Sequence, residues 1–74
     1  MLRWDFLRGQ EVVTCEVRKI GTGSYDICVV PHSDLSSSVV EPFAHPVEAL
    51  RRHAEIARYF KQSGFSVRRT QTLR

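Results

Sequence analysis

The stretch PVEALRRHAEIARYFKQSGF, residues 46–65, decides the fold. Proline suits the first turn of a helix, because its missing N–H would have no partner there. At 100° per residue the apolar positions gather on one broad face, and most charged positions lie on the other. We therefore predict an amphipathic helix of about five turns. Its packed face would contain Val47, Ala49, Leu50, His53, Ala54, Ile56, Ala57 and Phe60.

The residues after this helix predict how it ends. Gly64 stands where a left-handed residue commonly closes a helix, and Phe65 would then contact Phe60. On the polar face, charges of opposite sign are three or four residues apart, a spacing that allows ion pairs along a helix. We interpret that face as a solvated surface with three internal pairs, Glu48–Arg52, Arg51–Glu55 and Glu55–Arg58.

Apolar and polar residues alternate in the first half of the chain, which predicts strands. The alternation covers Leu2 to Phe6, Val13 to Val17 and Tyr25 to Val29. A shorter segment, Val39 to Phe43, can form a fourth strand. It would end at Pro42 or Pro46, and proline in a strand favours an edge position.

The sequence Gly21-Thr22-Gly23-Ser24 predicts a hairpin, with two registers open. A two-residue turn would pair Val17 with Asp26, whereas a five-residue loop from Ile20 to Ser24 would pair Val17 with Ile27. Apolar matching favours the longer loop.

The longer loop also determines on which face of the sheet each cysteine lies. It places Cys15 on the core face of the sheet and Cys28 on the other face, so no disulfide is expected. Two free thiols are typical of a reducing compartment.

The chain offers no recognisable catalytic or metal-binding constellation. His32-Ser33-Asp34 contains the residue types of a catalytic triad, but adjacent side chains diverge, so we expect a hydrogen-bonded turn there. His45 and His53 would be more than about 10 Å apart along a helix, too far to share a metal ion. We predict no catalytic residue, no metal site and no cofactor, and hence no enzyme.

His53 stands out because it is central on the apolar face of the helix. We interpret it as a buried, neutral histidine bonded to a backbone carbonyl or a strand side chain. The alternative is a pH-sensitive group in a pocket between helix and sheet.

Charge is segregated along the chain. Met1 to Leu50 has four basic and seven acidic residues, a net charge of −3, whereas Arg51 to Arg74 has seven basic and one acidic, a net charge of +6. A basic segment without a recognition motif favours phosphate contacts that ignore sequence. The candidate contacts with a polyanion are Lys61, Arg68, Arg69 and Arg74.

With 74 residues, the chain is expected to form one small domain. We predict an α+β domain over residues 1–65, an antiparallel sheet of three to four strands with one C-terminal helix packed on one face. Residues 66–74 form a basic tail that adds an edge strand or frays. The longest apolar run, Ile27 to Val30, is far too short to span a membrane, so we expect a soluble, cytoplasmic protein.

Three segments resemble short bacterial proteins without an assigned function. They are CEVRKIGTGSYDICVV (residues 15–30), VEPF (40–43) and ALRRHAEIARYFKQSGF (49–65), and the likeness spans residues 11–65. It implies a strand-rich first half, an acid–aromatic pair before the helix, and a bacterial, cytoplasmic protein. It provides no active-site residue.

Because one helix covers one sheet face, the other face is wet or bound to a partner. Its expected polar residues are Arg3, Asp5, Thr14, Glu16, Arg18 and Asp26, and its apolar residues include Val12, Cys28 and Val30. We therefore expect a small, non-enzymatic protein-interaction module that binds an unknown protein or a second copy of itself. Weak, sequence-independent binding of nucleic acid through the basic C-terminal third is the alternative.

Overall fold

The computed structural model of the chain describes residues 2–71, with side chains as far as residue 68. Four strands, one of them preceded by a short 3-10 turn, are followed by a helix and a last strand. Their bounds are β1 Leu2–Arg8, β2 Glu11–Lys19, β3 Tyr25–Pro31, the 3-10 turn Leu35–Ser37, β4 Val39–Phe43, α1 Pro46–Gln62 and β5 Ser66–Gln71.

The strands form one antiparallel sheet in the order β4-β3-β2-β1-β5, and α1 packs against one of its faces. The predicted α+β class is confirmed. The sheet has five strands because the chain turns back after α1 and pairs with β1 as an edge strand. Residues 66–71 thus form an edge strand, which is one of the two alternatives predicted for the basic tail. Residues 72–74 lie outside the described residues.

The hairpin between β2 and β3 has the register that apolar matching favoured. Val17 lies opposite Ile27, and the N–H of Ile20 donates to the carbonyl of Ser24 at 2.8 Å. The five-residue loop turns through Gly21, whose φ of +79° lies in the left-handed region that glycine adopts without strain. The predicted register is confirmed.

The core lies between α1 and the three central strands. The rings of Phe6 and Phe60 stack with centroids 4.9 Å apart, joining β1 to the helix. Partly buried aromatic side chains, among them Trp4 and Phe43, surround this centre. The fully packed apolar residues are Phe6, Cys15, Val17, Ile27, Ala49, Ile56 and Ala57.

The packed stripe of α1 is narrower than predicted. Val47 and Leu50 are 62% and 51% exposed, and Ala54 is exposed as well. The helix contacts the sheet along a line through His53, and each residue turns the side chain by about 100°. Ala54 therefore points along the flank of the helix and away from the sheet.

The helix ends at the predicted glycine. Gly64 has a φ of +94°, the Phe65 N–H donates to the Phe60 carbonyl at 3.0 Å and the Gly64 N–H to Lys61 at 3.1 Å. This bond pattern is a Schellman motif, in which a left-handed residue lets the chain reverse. The Phe60 and Phe65 rings meet edge to face, 5.1 Å between centroids.

Arg8 ties the end of the helix to the β1–β2 hairpin. Its Nη1 donates to the Ser63 carbonyl at 2.7 Å, and its guanidinium lies 4.4 Å from the centroid of the Phe65 ring. The same side chain pairs with Glu11 at 2.9 Å. Arg8 thus satisfies a carbonyl that the helix leaves without an internal partner.

Arg52 makes the ion pairs of α1. Its Nε and Nη2 donate to the Glu41 carboxylate of β4 at 3.0 and 3.2 Å, and its Nη1 donates to Glu55 at 3.3 Å. The predicted pairs Glu48–Arg52, Arg51–Glu55 and Glu55–Arg58 are wrong, because β4 presents a carboxylate to Arg52, which also occupies Glu55. Within the described residues, Arg51 and Arg58 have no ion pair.

We expect Arg8→Ala to lower the free energy of unfolding by about 1 kcal/mol, because it removes a charged hydrogen bond and a cation–π contact at a partly exposed site. The melting temperature would fall by about 4–8 °C for a domain of this size. Thermal unfolding followed by circular dichroism measures the change. Arg51→Ala, which removes an arginine without an ion pair, is the control, and equal losses in both variants would contradict the role of Arg8.

Candidate functional site

A network of polar side chains covers the sheet face opposite α1, which we call the open face. Thr14 Oγ1 donates to Asp5 Oδ1 at 2.7 Å and lies 2.7 Å from His32 Nε2. Arg68 Nη2 donates to Asp5 Oδ2 at 3.1 Å, and Arg3 approaches the same carboxylate at 3.8 Å. Asp5 is therefore buried beneath its partners although no secondary structure within residues 2–71 covers it.

The network keeps Asp5 ionised. Burial alone would raise the pKa of the Asp5 carboxyl, but the hydrogen bonds from Thr14 and Arg68 and the charges of Arg3 and Arg68 outweigh it, so its pKa lies below the ordinary value. Since the Thr14 proton points to this carboxylate, His32 must donate to Thr14 and cannot act as a base towards it. The arrangement stabilises the sheet and does not activate the hydroxyl as a nucleophile.

A second carboxylate on the open face is paired in the same way. Arg18 donates to both oxygens of Asp26 at 2.8 Å, a bidentate pair between β2 and β3. The hydrogen bonds from Arg18 are the main cause that lowers the pKa of Asp26, and the same bonds raise the pKa of Arg18. Both charges of this pair are thus neutralised within the chain.

The connection after β3 is the hydrogen-bonded turn that the sequence predicts. Ser36 and Ser37 each donate to the Asp34 carboxylate at 2.6 Å, and these bonds lower the pKa of Asp34. His32 faces Thr14 and not Asp34. His32, Ser33 and Asp34 are therefore not arranged as a catalytic triad.

The thiols occupy different environments. Cys15 is buried in the core, and burial, with a smaller effect of Cys28, raises the pKa of its thiol to about 12. Cys28 lies opposite Glu16 on the open face and is partly exposed. A protonated, buried Cys15 is unreactive, so Cys28 is the thiol that reagents can reach.

His53 is buried with 2% of its surface exposed. Its ring meets Trp4 edge to face at 4.9 Å, and its Nε2 has no hydrogen-bond partner among the described residues. Burial lowers the pKa of His53, and a hydrogen bond with the backbone of Cys15 opposes this effect only in part. The ring is therefore neutral. Its contact with the Cys15 backbone is of the kind expected for a buried, neutral histidine.

The four candidate polyanion contacts do not lie on one surface. Lys61 is on α1, with its Nζ 5.7 Å from the centre of the Trp4 ring. Arg68 projects onto the open face, where it bonds to Asp5. The register places Arg69 beside Trp4 on β1, and Arg74 lies outside the described residues.

The flank of α1 that faces β1 and β5 forms a groove with a volume of about 420 Å³. Apolar side chains form its floor, and two cations and a glutamine line its helix side. Within the described residues, Arg58 and Lys61 pair with no carboxylate. We call this the basic groove, and it is lined by Trp4, Ala54, Ala57, Arg58, Lys61 and Gln62.

The other flank of α1, towards β4, forms a groove of about 370 Å³. Tyr59 stands at its edge with 65% of its surface exposed. The ion pairs of Arg52 with Glu41 and Glu55 close its rim, so this groove carries paired charges. Its apolar lining comes from Val29, Val39, Ile56, Tyr59 and Phe60.

Trp4 and Arg58 were not predicted to belong to one site. The sequence predicts Trp4 only as an apolar position of the first strand, and Arg58 as part of a helical ion pair with Glu55. One signal was present, since Lys61 has no acidic residue three or four positions away and so no partner along the helix. The proximity of Trp4 depends on strand order, which the sequence does not reveal.

Residues 2–71 contain no helix with the length and apolar character needed to cross a bilayer. Within the same part of the chain, no three His, Cys, Asp or Glu side chains are grouped as metal ligands would be. Comparison with protein-family models, curated proteins and solved structures gives no match. Function must therefore be inferred from the geometry of the surfaces.

The burial of His53 predicts a pH dependence. The unfolded chain binds a proton at His53 near pH 6.5, and the folded chain only at lower pH. The free energy of unfolding should therefore be largest above pH 6.5 and decline as the pH falls below it. The lowered pKa values of Asp5 and Asp26 add a separate loss only below about pH 3.8.

Urea unfolding between pH 7.5 and 4.5 measures this decline. His53→Asn keeps a donor close to the ring Nδ1 position and cannot titrate, so its curve should be flatter even if the variant is less stable. A His53 ring that protonates at or above pH 6.5 in an NMR titration would contradict the burial.

Proposed function

We propose that this chain is a protein-interaction module without catalytic activity, and that its open face binds a second copy of itself. One observation carries the proposal. An apolar band crosses four strands of the open face, with four half-buried residues and one exposed residue. The band consists of Leu7, Val12, Cys28, Val30 and Val40.

The band has two parts, which are separated by the contact between His32 and Thr14. Leu7 is the Cα partner of Val12, and Cys28 is the partner of Val40. Val30 lies two residues along β3 from Cys28 and diagonal to Val12, and the side chain of His32 reaches Thr14 across that diagonal. Val40, at the edge of the sheet, is 53% exposed.

The charge of the open face also favours a second copy. Its described residues include three arginines and three carboxylates, and Arg18–Asp26 and Arg68–Asp5 already form ion pairs. A face whose charges are balanced and internally paired does not repel an identical face. The basic groove, in contrast, would place uncompensated cations against one another.

The size of the open face is compatible with a weak dimer. A specific interface buries about 800 Å² per partner, roughly one sixth of the 5048 Å² surface of the chain. Five strands about 4.8 Å apart make a face about 24 Å wide. Protein interfaces combine an apolar core with polar surroundings, and the open face contains both kinds of residue.

A cytoplasmic location agrees with two free thiols that the fold places on opposite faces. The resemblance to short bacterial proteins supplies a bacterial origin as a further proposal.

Binding of nucleic acid is less well supported. Among the candidate contacts whose side chains are described, Arg68 bonds to Asp5 on the open face and Lys61 lies on α1, so the two do not share one surface. Two phosphate contacts would give a log–log salt slope of about −1.8, compared with about −3.6 for four contacts on one surface. Such a small electrostatic contribution supports only weak binding.

We expect reversible self-association in sedimentation equilibrium, weakened by at least about tenfold in Val40→Glu, because a charge would be buried at the interface without a partner. Val40 is exposed in the monomer, so the substitution should leave folding intact. Ile20→Glu is the matched control, since Ile20 is 44% exposed in the β2–β3 loop, outside the band. A monomer at high micromolar concentration would refute the proposal.

Alkylation of Cys28 gives an independent test of the same interface. If the band is buried between two copies, the rate of Cys28 modification should fall as protein concentration rises, and Val40→Glu should abolish that dependence. Cys15 should stay unmodified throughout, because its thiol is buried and protonated. A Cys28 rate that is independent of concentration would contradict the dimer.

A further inference from the structure

The two edges of the sheet differ in the backbone groups that they present. Two backbone hydrogen bonds fix the alternation: the His32 N–H donates to the Val12 carbonyl, and the Ile20 N–H donates to the Ser24 carbonyl. Even-numbered residues of β2 therefore point their backbone groups towards β3, and odd-numbered ones point towards β1. The registers of the other strand pairs extend the same alternation to β4 and β5 at the two edges of the sheet.

At the β4 edge the outward groups belong to Val40 and Pro42. Glu41, paired with Ile27, points towards β3, so its two neighbours point away. Pro42 has no N–H, and it removes one of the few donors that this edge would offer. Proline at such a position blunts an edge against further pairing.

At the β5 edge the outward groups belong to Val67, Arg69 and Gln71. Arg68, paired with Asp5, points towards β1, and the residues on either side of it point away. These three residues each keep an N–H and a carbonyl, and no described strand pairs with them. The β5 edge is therefore open to another strand.

The open edge adjoins the basic groove. Arg69 is the Cα partner of Trp4, whose ring lines the groove together with Arg58 and Lys61. A strand added to β5 would place alternate side chains on the helix side of the sheet, next to these cations. The edge and the groove thus form one surface.

We propose that the β5 edge pairs with an extended, acidic segment of another protein, and that the basic groove receives its side chains on the helix side. Backbone hydrogen bonds supply the affinity in this mode of recognition, and side-chain pockets supply the specificity. The groove favours carboxylates at alternate positions, since Arg58 and Lys61 lack acidic partners within the described residues.

The occupant is a different protein and not a second copy. A second copy would pair its β5 with this β5 in antiparallel order around a two-fold axis. The basic residues of the two strands would then lie opposite one another, and like charges in that position are unfavourable. A nucleic acid cannot form the backbone bonds of a strand. This surface is separate from the apolar band, so it does not depend on the proposed dimer.

The test uses a fluorescent octapeptide of alternating glutamate and valine as the probe. The control is the same peptide with N-methylated glutamates, which has the same charge but lacks the N–H groups that an antiparallel partner with its glutamates on the helix side would turn towards β5. We expect anisotropy to detect binding of the first peptide and about tenfold weaker binding of the second. Amide hydrogen exchange at Val67 and Arg69 should slow only with the first peptide.

Two substitutions at one position separate backbone from charge. Arg69→Ala removes the side-chain charge alone, whereas Arg69→Pro also removes the outward N–H and leaves the bonds between β5 and β1 in place. We expect affinity to fall about threefold in the first variant and about tenfold further in the second. Melting curves establish that both variants fold.

The groove is tested by the double variant Arg58→Ala/Lys61→Ala, which should bind the acidic peptide about fivefold more weakly. Arg51→Ala is the matched control, an unpaired helix arginine outside the groove.

Equal binding of both peptides, or equal affinity of Arg69→Ala and Arg69→Pro, would overturn strand pairing. Tighter binding of a labelled DNA duplex than of the peptide would assign the surface to nucleic acid. Sedimentation of these variants should match wild type, so failure here leaves the dimer proposal intact.

Discussion

The packing of a narrow stripe of α1 onto the centre of the sheet is the constraint on which the other features depend. Phe6 and Phe60 stack at its centre, and His53 lies against Trp4. A single helix about 10 Å wide cannot cover five strands that span about 24 Å. Two grooves therefore remain along its flanks, and the opposite sheet face has no covering layer among the described residues.

The uncovered face is kept stable by side chains that take the place of a second layer. Arginines lie over Asp5 and Asp26, so both residues are 4% exposed although no described secondary structure lies above this face. Their hydrogen bonds hold the pKa values low and keep the charges paired. On the helix side, burial lowers the pKa of His53 and keeps its ring neutral, and the ring Nε2 has no partner among the described residues.

Pairing of charges also separates the surfaces available for association. On the open face the arginines are occupied by carboxylates of the same chain, and the apolar band beside them is compatible with an identical partner. In the basic groove Arg58 and Lys61 retain their charges, so an acidic partner is preferred there. The distribution of charge on the surface thus differs from its distribution along the sequence, because Arg68 of the basic segment pairs with Asp5.

Local patterns in the sequence determined the elements: the helix with its Gly64 stop, the loop between β2 and β3, and the edge position of β4. Helical periodicity, turn residues and strand alternation act over a few residues, so a single sequence displays them. Strand order was decided only by the tertiary structure. It joined Arg68 to Asp5 across 63 positions, paired Arg52 with Glu41 of β4, and placed Lys61 above Trp4. The grooves and the open edge arise from such long-range neighbours, because adjacent residues of a strand face opposite sides and only the assembled sheet decides what each side meets.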